Sequence, residues 1–310
     1  MRINNLILIL FLLCTNIIVG QQLAQYTQWA SHQFAFNPAH AGIKNCLELH
    51  SLYRTQWLGF QGAPKNGFLT LSAPINSLRK HALSARQGIG AKIEFDNIGP
   101  ISTNRLNLAY SSHFNFTPED RLSIGMYLGV VQFSYDVQNL STIQPDPSIS
   151  QDVTFINPDA SIGAWWNSTN YYLGLSIQNI ITSKWNNIGN DSRFQMHTTL
   201  NGGARISLNK YYTIIPSFLL KIPPAGLPSI DLNALFNYNN QAGFGFGIRN
   251  TNALLFLANI KINGQFSINY SFDYPLNDLR PGTFSTHELS FIFSTCKQRQ
   301  IGSTKCPLFE

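Results

Sequence analysis

From residue 45 onward, apolar and polar side chains follow one another with a period of two, the spacing of a strand with one apolar and one wet face. Between Gln265 and Tyr274, Phe266, Ile268, Tyr270, Phe272 and Tyr274 fall on one face, and Gln265, Ser267, Asn269, Ser271 and Asp273 on the other. Leu106, Leu108, Tyr110, Phe114 and Phe116 alternate in the same way with Arg105, Asn107, Ala109, Ser111, His113 and Asn115. Around 242–249, Phe244, Phe246 and Ile248 are interleaved with Gly243, Gly245, Gly247 and Arg249, a strand with rings on one side and almost nothing on the other. The pattern predicts fourteen strands, near 46–54, 66–74, 88–97, 102–116, 121–135, 158–167, 170–179, 195–208, 210–221, 229–238, 241–249, 252–262, 265–274 and 285–295. Pro216 cannot donate to a ladder and predicts a local bulge in its strand.

An even number of strands of about ten residues, with no apolar run beyond the N-terminus long enough for a spanning helix, is the pattern of an outer-membrane barrel. Lipid offers the backbone no hydrogen-bond partner, so a sheet crosses only if closure removes its edges. The fold expected is therefore all-β, a transmembrane barrel of about fourteen antiparallel strands over 45–295. Connection lengths agree. If the first strand runs outward, the long connections at 136–157, 180–194 and 275–284 fall outside, and the tight ones, Ser168-Thr169, Asn209-Lys210, Asn239-Asn240 and Asn263-Gly264, fall inside. The basic inner stretch 76–87, with Arg79, Lys80, His81 and Arg86, departs from this, as do the short outer turns at 98–101 and 250–251.

Composition narrows the alternatives. Of the 310 residues 44% are hydrophobic and only 12% charged, against about 25% charged in an ordinary soluble domain. A soluble β-sandwich also alternates, but its polar face would carry many Lys and Glu; here those positions hold Asn, Ser, Thr, Gly and Gln. The pI near 9.1 comes from scattered basic residues, so no nucleic-acid partner is implied. Arg2, the apolar stretch Leu6–Leu13 and the small end at Gly20 read as a signal peptide over 1–20, with Gln21 the first mature residue. Cys14 would suit a lipoprotein signal, but Leu13 before it is too large. Residues 21–44 form an N-terminal periplasmic or lumenal segment, and 296–310 a periplasmic tail, net basic by +2 through Lys297, Arg299 and Lys305 against Glu310. Of Cys46, Cys296 and Cys306, the last two could close a small loop; three free thiols is the other reading.

No catalytic motif emerges. The seven histidines, at 32, 40, 50, 81, 113, 197 and 287, show no HExxH spacing, and neither a nucleophile elbow nor a phosphate loop is present. A non-enzymatic chain without cofactor or metal is expected. Charged residues inside strands should point away from lipid, where an Arg or Lys at mid-depth costs about 2–4 kcal/mol. The alternation turns Glu48, Lys92, Glu94, Arg105, Arg205, Lys221, Asp231, Arg249, Lys261, Asp273 and Glu288 into the lumen. They would serve either as a salt-bridged interior that stiffens the barrel or as the lining of a pore or binding cavity.

The segment Asn37-Pro38-Ala39-His40-Ala41-Gly42, followed by Tyr53-Arg54-Thr55-Gln56-Trp57-Leu58-Gly59-Phe60 and Gly62-Ala63-Pro64-Lys65, resembles the N-terminal signature of the PorP/SprF family of type IX secretion outer-membrane proteins. Asp96–Pro100, Pro158-Asp159, Pro216–Lys221, Asp231–Ala234 and His287-Glu288-Leu289 are similar to later landmarks of that family. Met196-His197 stands where members commonly carry Arg-His. The resemblance implies a non-enzymatic barrel, associated with gliding motility, that anchors or helps export a particular surface protein, an adhesin or an enzyme, through the cargo's C-terminal domain. Its implied partners are that cargo, the type IX machinery or a periplasmic lipoprotein, and outer-membrane lipid. The other functions open to such a chain are a channel for small solutes and, if the sheet were not membrane-borne, a secreted β-sandwich binding protein.

Overall fold

The computed structural model describes residues 23–75, 86–117, 119–136, 152–182, 194–250, 252–277, 282 and 285–296. Fourteen antiparallel strands close into a barrel: β1 (Glu48–Thr55), β2 (Lys65–Ile75), β3 (Arg86–Ile98), β4 (Ile101–Asn115), β5 (Arg121–Tyr135), β6 (Val153–Asn167) and β7 (Tyr171–Gln178) come first. They are followed by β8 (His197–Ala204, continued by Ile206–Ser207), β9 (Tyr212–Ile222), β10 (Ser229–Tyr238), β11 (Ala242–Arg249), β12 (Ala253–Ile262), β13 (Phe266–Pro275) and β14 (Thr286–Ser294). Each strand pairs with its sequence neighbours, and β1 pairs with β14 from Glu48 opposite Ser294 to Thr55 opposite His287, so no edge remains.

The strands form because their two faces have two uses. On β4, Leu106, Leu108 and Tyr110 are exposed while Asn107, Ala109 and Ser111 are buried; on β5, Ile124, Met126 and Leu128 are exposed while Ser123, Gly125 and Tyr127 are buried. Exposed apolar side chains recur from strand to strand, Leu108 at 64% among them, and an apolar outer surface of that extent fits contact with acyl chains. The core is thus inverted relative to a soluble sandwich, with polar groups inside and apolar groups outside. Asn239 and Asn240 both have φ near +50°, as do Asn263 and Gly264 within about 20°, the geometry of a two-residue hairpin turn that Asn and Gly tolerate. The connections from Tyr135 to Val153, Gln178 to His197 and Pro275 to Thr286 all leave the opposite end, the outer one in a barrel of this kind. Arg79, Lys80 and His81 lie outside the described residues, as does the segment proposed as a signal peptide.

Two local expectations change. Strand β6 starts at Val153, before Pro158, because residues 153–159 pair with β5 alone and leave Pro158 on an unpaired side, where its missing N–H costs no ladder bond. Pro216 makes no bulge. It lies opposite Ala234 in an unbroken ladder with β10, and the register with β8 is the same on both sides of a gap at Ala204–Arg205, where the Arg205 N–H donates to Asn170 O instead. The proline interrupts pairing without shifting it.

The cysteines also pair differently from the small loop suggested by spacing. Cys46 and Cys296 are joined, with Cα atoms 5.1 Å apart, two residues beyond the Glu48–Ser294 rung that ends the β1–β14 ladder; Cys306 lies outside the described residues. Their sequence separation of 250 hid the pair, because proximity comes only from barrel closure. A link of that span stabilises the closed state by roughly 5 kcal/mol in the chain-entropy picture. Cys296→Ser should therefore lower the heat-unfolding temperature of the detergent-solubilised barrel, and a peptide map without reductant should contain the 46–296 cross-link. A map in which Cys296 is joined to Cys306 would refute this pairing.

Candidate functional site: an N-terminal segment held in the lumen

Residues 23–47 run through the barrel interior from its outer half to the end that carries the short turns, where β1 begins. The segment is a chain of short turns, Trp29–Ser31, Gln33–Phe36 and Pro38–His40, the last capped by the Asn37 side chain accepting from the Ala39 N–H at 3.0 Å. Such turns leave many backbone groups without internal partners, and in a water-poor lumen each must find one. The wall supplies them. Ser111 Oγ donates to Ala41 O (2.7 Å), Lys92 Nζ to Ala35 O (3.2 Å), Ser176 Oγ and Gln178 Nε2 to Phe36 O (2.9 and 3.1 Å), and Arg121 Nη1 to Ile43 O (3.2 Å). Tyr127 Oη donates to Phe34 O.

The signature residues are the contact points of this arrangement. Asn37 donates to Ala164 O and Leu175 O on β6 and β7, 3.0 and 3.1 Å away. Pro38 and Ala39 lie flat against Gly125, where an added Cβ would come within 2.6 Å of their backbone, and Gly163 faces Asn37 with less room still. Gly88 and Gly90 make the same space for Ala41 and Phe34. Gly42, at φ +59°, turns the chain against Ala73 and Gly88. A Cβ at any of these inward glycines would collide with the inserted segment, with its main chain at Gly88 and Gly125 and with the Phe34 and Asn37 side chains at Gly90 and Gly163.

At the outer end the segment is gripped by charge. Arg54 Nη2 is 2.8 Å from Asp273 Oδ2, its Nη1 pairs with Glu288, and Arg249 is bidentate to Asp231 at 2.9–3.0 Å and reaches Asp273 at 3.0 Å. Thr27 sits at the centre, 0% exposed: its hydroxyl donates to Asp273 (2.7 Å) and accepts from Arg54 and Arg249 (3.1 Å each). Glu288 accepts the backbone N–H groups of Thr27 and Gln28 at 2.6 and 3.0 Å. Buried charges are tolerated when every one is paired, and here part of the pairing is with the inserted chain.

The remaining charged positions grade from buried to open. Glu48, Lys92 and Lys221 are buried, Glu94, Arg105 and Arg205 half-buried, and Lys261 is exposed at the short-turn rim, within reach of Lys44 and Glu48. Glu94 takes Lys92 at 3.1 Å and the Tyr26 hydroxyl at 3.2 Å. Of the signature residues outside the lumen, Tyr53 is exposed on the lipid face beside Phe95, Gln56 and Trp57 line the outer mouth, and Pro64 O accepts the Gln56 N–H at 2.9 Å. Sequence reasoning missed Tyr26, Thr27 and Gln28, which belong to no periodic pattern. Inward glycines on β3, β5 and β6 were the available sign that something fills the lumen. Among the described residues no group of three His, Cys, Asp or Glu is placed to hold a metal ion.

Two histidines of the inserted segment make its seating sensitive to acid. Burial drives His32 well below its usual pKa; His50, whose Nδ1 is 3.1 Å from His32 Nδ1, adds to this and Glu48 opposes it. Burial likewise takes His40, packed on Trp165, down to about 3; Glu48 opposes the shift, and Lys44, His50 and His113 add to it. Both rings are neutral when seated, so their contribution is complete above the unfolded value near 6.5 and is lost as pH falls below it, for His40 down to about 3. Each unit in that window costs about 1.4 kcal/mol per histidine. Protease access to residues 23–44 should rise between pH 6 and pH 4 and fall again in a His32→Gln/His40→Gln pair; an unchanged digestion profile would contradict it.

In comparisons with solved structures, the fold is similar to the CymD monoaromatic hydrocarbon channel (11% identity, 91% of this chain and 96% of that one, TM-score 0.49) and to a FadL homologue of Pseudomonas aeruginosa (11%, 84% and 92%, 0.47). It is also similar to the toluene transporter TbuX of Ralstonia pickettii (12%, 84% and 90%, 0.47). Among curated proteins nothing matches. The sequence pattern described as "Type IX secretion system membrane protein PorP/SprF" matches residues 18–293, which takes in the lumenal segment, the wall glycines that receive it and the Arg54–Asp273–Glu288 cluster. The chain therefore belongs to the PorP/SprF family and is an outer-membrane β-barrel component of type IX secretion.

Proposed function

We propose that this barrel is a closed scaffold that holds, or helps to export, one surface protein through that protein's C-terminal domain, and that it does not conduct solutes. The observation that supports this reading best is the seated N-terminal segment. A route for small molecules would leave the inward polar groups to water, whereas Ser111, Lys92, Ser176, Arg121, Asp273 and Glu288 are spent on segment backbone or on Thr27. In this reading residues 1–20 are the cleaved export signal, the outer connections contact the cargo, and the short-turn side with the tail beyond Cys296 faces the secretion machinery or a periplasmic lipoprotein.

Deleting the gene should remove a particular protein from the cell surface, and mild-detergent purification should retain that protein on the barrel. An unchanged surface proteome would remove the idea.

A further inference from the structure

At the outer mouth, between the start of the lumenal segment and the rims of β1, β11, β12, β13 and β14, lies a pocket of about 200 Å³ that the seating of the segment does not use up. We propose that it binds a neutral saccharide.

The chemistry of the walls selects this class. The floor is formed by Arg54, Arg249 and Asp273, which give it guanidinium donors and a carboxylate acceptor. The floor carries no net charge to attract an ion, because Arg54, Arg249 and nearby Lys221 are balanced by Asp231, Asp273 and Glu288, all of them buried. Above it, the carboxamides of Gln56 and Asn252 and the Thr286 hydroxyl offer donors and acceptors side by side. A sugar hydroxyl, which donates once and accepts twice, matches such pairs on a single atom. Trp57, at φ +47° and 37% exposed, supplies the apolar element. A bulky residue rarely adopts that backbone, and here it places an indole on the wall of a polar pocket, where the C–H face of a pyranose can pack.

A peptide is the less suitable occupant. Extended peptides add to a free strand edge or place side chains in apolar slots. Every strand at this rim is already paired on both sides in the closed ladder, and the apolar lining amounts to Ala253, Pro275 and the Trp57 ring. The site stands independently of cargo holding, so either reading can fail without the other.

The test uses the full chain in micelles of an amine-oxide detergent, which has no sugar headgroup. Methyl glycosides of glucose, galactose, mannose and N-acetylglucosamine are titrated by calorimetry and by saturation-transfer NMR. At least one should bind saturably. Trp57→Ala should weaken it on the order of ten-fold or more, Trp57→Phe should retain it, and Asn252→Ala should weaken it without altering the heat-modifiable band that reports a folded barrel. Absence of saturable binding by all four glycosides overturns the proposal, as does equal affinity in Trp57→Ala. If no glycoside binds while a purified cargo C-terminal domain binds and loses affinity with Trp57→Ala, the pocket is a peptide site and the saccharide assignment falls.

Discussion

Replacing Arg54 by leucine should destabilise the barrel by about 3–5 kcal/mol, the usual cost of removing one partner from a buried ionic cluster. The substitution leaves Asp273 and Glu288 with a formal excess of negative charge in a site where both side chains are almost fully enclosed, and takes a donor from the Thr27 hydroxyl. Arg249 continues to satisfy Asp273, so the loss is that of one guanidinium and not of the whole cluster. Arg54→Lys should recover part of the stability, because a lysine restores the charge but not two contacts made in fixed geometry to two different carboxylates. The double variant Arg54→Leu/Glu288→Gln should recover part of that loss, because it removes the carboxylate left unpaired while one amide oxygen can still accept a backbone N–H of the segment. Heat-modifiable migration against temperature measures all three. If Arg54→Leu leaves the transition unmoved, the cluster is not what seats the segment.

Removing residues 23–44 should turn a silent barrel into a conducting one in planar bilayers. Fourteen strands enclose a lumen wide enough for water and ions once nothing fills it. The deletion leaves Cys46 and Cys296 in place at the closing seam, so closure itself is retained. Should the shortened chain fold poorly, Gly163→Val offers a milder route, since a side chain there meets Asn37 in its seat. That variant should show intermittent openings, while the unaltered chain shows none. A folded deletion variant that stays silent would mean that wall side chains alone block the passage, and the segment would then lose its standing as the plug.

These two experiments separate what was legible along the chain from what was not. Strand positions could be read almost residue by residue, because lipid outside and polar packing inside impose opposite demands on successive side chains, as Ile268 and the buried Asn269 illustrate. Tight turns were readable too, since Asn239-Asn240 and Asn263-Gly264 are residue types that accept positive φ. The pattern around Pro216 and Pro158 misled, because a proline reports only a missing donor; whether that donor was needed depends on which neighbour strand reaches the position.

The roles of the inward charges needed the fold. Alternation says that Asp273 and Glu288 avoid lipid, but not that they wait for the backbone of Thr27 and Gln28, more than two hundred residues earlier. The Asn37–Gly42 stretch could be matched to a family without its purpose being visible, since its partners are glycines on three separate strands.

By itself the sequence determined a fourteen-stranded membrane barrel, because each strand's period of two is a local consequence of facing two solvents at once. Only the tertiary structure decided that the barrel is filled, that Cys46 meets Cys296 and that the outer mouth keeps a polar pocket. Those features are set by which distant residues closure brings together, and a one-dimensional pattern carries no information about contacts across a lumen.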